Sequence, residues 1–202
     1  MKLLVASALV AGLAGLSAAL PSVAPLAPAT AAETFAIDNA HSTVIFRTKH
    51  LGISEAYGRF NTLSEDSELM LDADPTKSSL RLVVAAESVD TGLADRDKHL
   101  RNADFFNAKE HPEIVFESKK ISGKADALEV TGELTFLGVT KAVTAKARQV
   151  GKGDTAFGDH RAGFVADFTF SMADFGVAFV KQNPGAVGPE VHVTVSLECI
   201  RK

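Results

Sequence analysis

With 202 residues, 21 Lys and Arg against 25 Asp and Glu, and a net charge of −4 at pH 7, the chain has no basic block suited to a general nucleic-acid role. Its single Cys excludes an intramolecular disulfide and a cysteine zinc cluster, so stability must come from packing and not from staples.

Residues 1–32 read as a cleaved secretory signal peptide. Lys2 supplies the positive start, and Leu3 to Leu20 is an unbroken apolar and small-residue run. A Pro/Ala stretch follows, ending in Ala29-Thr30-Ala31-Ala32. Cleavage after Ala31 or Ala32 leaves 20 basic and 25 acidic residues, about −5, and the expected location is the periplasm. The alternative is a retained anchor, since the run is nearly long enough to span a bilayer. Residues 33–202 fit one domain with its own core, and no second long apolar run follows, so the mature protein is not expected to span a membrane.

From Ser42 onward the chain alternates. "STVIFRTKH" places Val44, Phe46 and Thr48 on one face; "SLRLVVAAES" sets Leu80, Leu82, Val84 and Ala86 against Arg81, Val83, Ala85 and Glu87. "EIVFESKK" carries Ile114 and Phe116, and "LEVTGELTFLGV" aligns Val130, Gly132, Leu134 and Phe136. "VTAKARQV" has Lys146 and Arg148 on its wet face. "GFVADFTFSM" aligns Phe164, Ala166, Phe168 and Phe170, with Met172 continuing that face, and "EVHVTVSLEC" aligns Val191, Val193, Val195 and Leu197. Gly, Asp, Asn and Lys turns separate these segments. Repeated one-sided patterning predicts an antiparallel sheet wrapped on one core, a barrel or a sandwich. The inner faces mix large with small residues, which suits either an interlocked core or a cavity with room for a guest. Cys199 reads as a half-buried strand residue.

"ADRDKHLRNADFF", residues 94–106, interrupts the alternation with charge. Asp90 or Thr91 is a plausible helix cap, and helical spacing puts Leu93, Arg96, Asp97 and Leu100 on one stripe with His99 beside it. The two Leu are expected to dock on the barrel, which draws Arg96 and Asp97 to the seam. There they either brace the helix or, for Arg96 with His99, receive an anionic group.

Four stretches carry a resemblance. "IDNAHSTVIFRTKHLGISEAYGRF" holds His41, Ser42, Phe46, His50, Gly58 and Phe60; "SVDTGLADRDKHLRNADFF" holds Ser88, Thr91, Arg96, Asp97, His99, Leu100 and Phe106. "HPEIVFES" and "GELTFLGVTK" add Pro112, Phe116, Gly132, Leu134, Gly138 and Lys141. In order and spacing the mature chain resembles the YceI-like family, exported lipocalin-like barrels associated with polyisoprenoid binding. The resemblance implies a mostly β fold, an elongated eight-stranded antiparallel barrel with a short helix over one end. It also implies an internal channel for a long isoprenoid tail and no catalytic triad. One departure stands out: the family usually carries an Arg near the position of Met172, so this channel is expected to be more apolar there.

The function expected on this basis is a carrier or sequestering protein for a long-chain amphipathic lipid of polyprenyl phosphate or quinone type. The tail is assigned to Phe46, Phe60, Leu82, Val84, Phe116, Leu134, Phe136, Phe168, Phe170, Met172, Val193 and Val195, and the head group to His41, His50, Arg96 and His99. No cofactor, metal or catalytic residue is expected, no nucleic acid is a partner, and a homodimer is possible. Three alternatives remain. A His-dependent enzyme would use His41, His50, Asp97 or His99 with Ser42 or Ser88, although no Gly-x-Ser-x-Gly or His-Glu-x-x-His pattern occurs. A metal site would need His41 and His50 to approach across a strand and its turn. The last is an exported stress-response protein without a ligand.

Overall fold

The computed structural model describes residues 31–202, so the expected signal peptide lies outside the described residues except for Ala31 and Ala32. Strands β1 (Glu33–Ile37), β2 (Thr43–His50), β3 (Ser54–Phe60), β4 (Glu68–Leu71), β5 (Ser79–Ala85) and β6 (Val89–Asp90) precede helix α1 (Ala94–Arg101). Strands β7 (Glu113–Lys124), β8 (Ala127–Phe136), β9 (Val139–Asp154) and β10 (His160–Ser171) follow as a meander. The short helix α2 (Ala178–Gln182) then leads into β11 (Val187–Arg201).

Every strand pairing in the sheet is antiparallel, and the sheet closes on itself into an eight-stranded barrel. Phe35 of β1 stands opposite both Leu69 of β4 and Arg201 of β11, which closes the ring of eight strands β1-β4-β5-β7-β8-β9-β10-β11. Farther along β11 its neighbour becomes β2, with Val44 opposite Val195, and β3 and β6 complete that half. Each strand of that ring is paired on both sides over part of its length, whereas the outer edge of β3 is paired with β6 only at Arg59 and Phe60.

The alternation of the sequence becomes inside and outside, with two shifts that it does not announce. In β7 the register slips between Ser118 and Lys120, so the inward positions pass from Phe116 to Ile121, which is buried. Between β9 and β10 the register slips at Gly163/Phe164, where Gly151 and Gln149 are the successive partners. The extra residue, Val150, is left exposed. Val83 also departs from its pattern. It lies on the outer face yet is fully buried, because the loop after β3 folds over it and the Ser67 hydroxyl accepts its N–H at 2.9 Å. Cys199 is fully buried, not half-buried, and burial pushes its thiol up to about 12.

Helix α1 differs from expectation in how it is held. Neither Asp90 nor Thr91 caps it; Leu93 occupies the cap position without a side-chain bond and is 54% exposed, so it does not dock. Gly92, at φ 75°, turns the chain before the helix and points Leu93 away. Leu100 does pack on the core, and polar bonds supply the second attachment. Arg101 donates to the carbonyl oxygens of Glu87 (2.7 Å) and Val89 (2.8 Å), and buried Asp97 reaches back to Thr91.

Candidate ligand-binding site

The inner faces of the strands enclose a cavity of about 1150 Å³. Phe46, Phe116, Phe164, Phe168 and Phe170 all point into it, which is why these inward aromatics are only partly buried. Each of the twelve residues assigned to the tail lines this cavity: Phe46, Phe60, Leu82, Val84, Phe116, Leu134, Phe136, Phe168, Phe170, Met172, Val193 and Val195. Small residues on the same faces make the room. Ala145, Ala147 and Ala166 line the cavity wall beside Phe168. Gly132 serves a different purpose: a Cβ there would lie 2.4 Å from the Glu117 carbonyl oxygen and 2.5 Å from the Phe116 ring. Gly132 is the floor on which Phe116 rests, not open space.

One end of the barrel is filled by rings that the alternation does not reveal. Phe106, just after α1, lies 5.7 Å from Phe60 and 5.6 Å from Phe136, ring centre to ring centre. Phe175 lies 5.3 Å from Phe170. Phe105 stacks on Phe179 of α2 at 4.7 Å, and the His99 ring stands edge-on to both. Phe105, Phe106 and Phe179 line the cavity and are missing from the sequence-based set. The non-alternating "DFF" after the helix signals Phe105 and Phe106, the latter also among the residues of the family resemblance, whereas nothing in the alternation marks Phe179.

The rim at this end is polar. His50, at the tip of β2, lines it together with Thr91, Arg96 and His99. Arg96 is fixed by two bonds to one residue, Nε to the Thr91 hydroxyl and Nη2 to the Thr91 carbonyl, both 2.7 Å. Thr91 in turn donates its hydroxyl to Asp97 at 2.5 Å. Arg96 and Asp97 therefore meet through Thr91 and form no direct ion pair, and the rest of the guanidinium faces the cavity mouth. The His99 Nε2 lies 3.1 Å from an Asp104 carboxylate oxygen. The arrangement offers a cation and two imidazoles at the opening of an apolar tube, which suits a ligand with a long apolar body and a small polar or anionic end.

His41 lies elsewhere. It does not line the cavity; its Nδ1 sits 2.8 Å from Asp38, an ion pair that raises its pKa. Asp38, His41 and Glu198 come close enough together to resemble a metal-ligand group. Arg161 already fills that place, donating to Asp38 at 2.7 Å and to Glu198 at 2.5 Å, so the positive charge is supplied by the protein. His50 is on the rim, away from this cluster. The two serines considered as nucleophiles bond to backbone: Ser42 Oγ donates to the Glu198 carbonyl and Ser88 Oγ to the Ala85 carbonyl. No helix among the described residues is long and apolar enough to cross a membrane.

These features define a closed antiparallel β-barrel around a large apolar cavity that opens at a polar rim. The YceI-like domain model matches residues 35–199, and the chain belongs to the YceI-like family. It is 41% identical over 162 residues to a UPF0312 protein of Pseudomonas aeruginosa, a match covering 80% of this chain and 83% of that one. Among solved structures it resembles Burkholderia cenocepacia BcnA with a TM-score of 0.71 and 23% identity, covering 80% of this chain and 98% of that one. It also resembles a structure described as a polyisoprenoid binding domain from Saccharophagus degradans implicated in plant cell wall breakdown. There the TM-score is 0.62 and the identity 15%, covering 83% of this chain and 98% of that one. At these identities the structures speak for the fold.

Proposed function

We propose that the protein is an exported carrier or sequestering protein for a long-chain amphipathic lipid of polyprenyl phosphate or quinone type, held tail-inward in the barrel. The cavity is the observation that carries the reading. At about 1150 Å³ it exceeds the roughly 300–1,000 Å³ of ordinary small-molecule sites. The 12 residues of β7 extend about 40 Å, or about 30 Å along the axis of a tilted barrel, which suits a chain and not a compact metabolite. Each methylene transferred from water into such a tube gains about 0.8 kcal/mol, so about ten of them gain roughly 8 kcal/mol against the cost of ordering the chain. Arg96, His50 and His99 at the rim hold the head group. The polyisoprenoid-binding description of the Saccharophagus degradans neighbour supports the same ligand class.

Native mass spectrometry of the protein purified from its own host tests the reading. The expected result is a co-purified lipid, and saturable uptake of a polyprenyl phosphate or a quinone by the delipidated protein. No bound lipid together with no uptake of either would overturn it. Export is tested separately by N-terminal sequencing, which should find a chain beginning at Ala32 or Glu33; a retained Met1 would overturn that part.

A further inference from the structure

The hairpin joining β2 to β3 breaks two local rules at once. His50-Leu51-Gly52-Ile53 is a β-turn closed by the Ile53 N–H on the His50 carbonyl at 3.0 Å, with Leu51 at φ 52° and Gly52 at φ 69°; the ladder pairs His50 with Ser54, so Ile53 is one extra residue in the loop. Such a turn asks for left-handed backbone at both central residues, which Asn or Gly adopts readily and a branched aliphatic residue does not. Packing does not compensate here, because Leu51 is 56% exposed and Ile53 beside it is 87% exposed. The β8–β9 turn shows the contrast. It has the same Leu-Gly pair in the same conformation, φ 51° and 71°, but Leu137 packs against the main core. One strained leucine is held from inside the molecule; the other projects into solvent.

We propose that the β2–β3 tip is a membrane-docking wedge. Leu51 and Ile53 enter the boundary between head groups and acyl chains of a bilayer and hold the cavity mouth against it, so that a lipid passes between bilayer and barrel without crossing water. Position supports this occupant: Lys49, His50, Ser54 and Tyr57, on both sides of the turn, line the cavity. Phe157 is also exposed, but no residue from Thr155 to Asp159 lines the cavity. Charge supports it too. Lys49 is exposed beside the tip and Arg96 lies on the rim, both suited to lipid phosphate, while the nearby Glu55 is already paired with Arg47. Size argues against a second copy or a folded partner, since a few side chains on a hairpin tip fall far short of the roughly 800 Å² per partner that a stable protein interface needs. Shallow insertion of an apolar tip flanked by cations suits a bilayer surface.

The wedge rests on the lipid-cargo reading, and one set of measurements separates the two. The full mature chain is sedimented with vesicles of mixed phosphatidylcholine and phosphatidylglycerol, and its uptake of a polyprenol is measured without vesicles. The variant Leu51→Asn/Ile53→Thr gives the turn the residue it prefers, so its melting temperature should equal or exceed that of wild type. Vesicle binding should fall by more than about tenfold, since each methylene withdrawn from the bilayer is worth about fourfold, while polyprenol uptake from solution is unchanged. Phe157→Ser should leave vesicle binding intact. Absence of vesicle binding by wild type, equal binding by the variant, or a variant whose only change is a smaller sedimenting mass would each overturn the wedge. The last would assign the tip to a second copy. Polyprenol uptake judges the cargo reading by itself, whatever the vesicles show.

Discussion

The carboxylate of Asp97 accepts two hydrogen bonds from Thr91, 2.8 Å from its backbone N–H and 2.5 Å from its hydroxyl. The pair ties the buried face of α1 to the residue that follows β6, and the same hydroxyl receives Arg96. Helix position and guanidinium position are therefore set by one side chain. Removing a charged acceptor costs about 1.5–3 kcal/mol for each bond lost, reduced where water can replace it. Asp97→Ala should destabilise the barrel by about 2–4 kcal/mol in urea unfolding, and Asp97→Asn, which keeps one acceptor, by less. Equal stability of all three proteins would show that Leu100 and Arg101 suffice to hold the helix.

Much of this arrangement is legible in the sequence, and the reasons are physical. A strand with one wet and one dry face writes its orientation into every second residue, so Phe168, Phe170, Val193 and Val195 are placed correctly by period alone. Closure and the position of the helix come from the resemblance, because period two fits a sandwich as well as a barrel. The errors lie where local pattern and tertiary geometry part. The slips near Lys119 and Val150 change which parity faces inward, and nothing in composition marks an extra residue. Leu93 continues a helical stripe but belongs to the turn before the helix. His41 and His50 are nine residues apart in the sequence but lie in different places, since one sits before β2 with Asp38 and the other at its far tip.

Acid sensitivity should concentrate at Arg161. Its guanidinium, with help from the Thr155 hydroxyl, holds the Asp159 carboxyl down to about 2 against an ordinary 3.8. A carboxyl whose pKa falls on folding adds stability above its unfolded value and loses it as pH drops through the folded one, so this contribution disappears between about pH 4 and 2. His41 has the opposite sign. Asp38 raises its pKa above the ordinary 6.5, so its contribution is complete below that pH and is lost as pH rises through the folded value. Arg161→Met removes the cation shared by Asp38, Asp159 and Glu198. Its acid-unfolding midpoint, followed by circular dichroism, should move up toward the ordinary carboxylate range. An unchanged midpoint would mean that the three carboxylates are solvated well enough without it.

The course of the tail can be tested at Ala166. This residue lines the cavity in the middle of β10, opposite Val195 and Ala147, where a large side chain finds open volume and not backbone. Ala166→Phe should leave the barrel folded, weaken a long polyprenyl chain by about tenfold or more, and affect a short analogue little. Gly132→Phe is not an equivalent plug, because even its Cβ collides with the Glu117 carbonyl; it should lower the melting temperature outright. Equal affinity of wild type and Ala166→Phe for the long chain would place the tail elsewhere.

Arg96 separates head-group recognition from bracing. It is exposed at the rim, and its two bonds to Thr91 occupy Nε and Nη2, leaving Nη1 to meet a ligand. Because Asp97 keeps both Thr91 bonds of its own without the guanidinium, Arg96→Ala does not strand a buried charge, and its cost to stability should stay below about 1 kcal/mol. A charge-assisted contact to a phosphate is worth about 1.5–3 kcal/mol, so the variant should bind a polyprenyl phosphate roughly ten- to a hundredfold more weakly and the matching neutral alcohol almost normally. Arg96→Lys keeps the charge but not the fork that grips Thr91, so it should recover only part of the difference. His99→Ala should weaken both ligands, since its ring packs edge-on to Phe105 and Phe179 and helps shape the apolar end, and the phosphate more than the alcohol, since the imidazole also meets the head group. Titrating phosphate and alcohol against all three variants, beside their melting curves, gives each residue its own signature. Should Arg96→Ala lose both ligands equally and melt several degrees lower, Arg96 is a brace for α1, and the head group is held by His50 or lies at the opposite rim, beside Lys124 and Lys152.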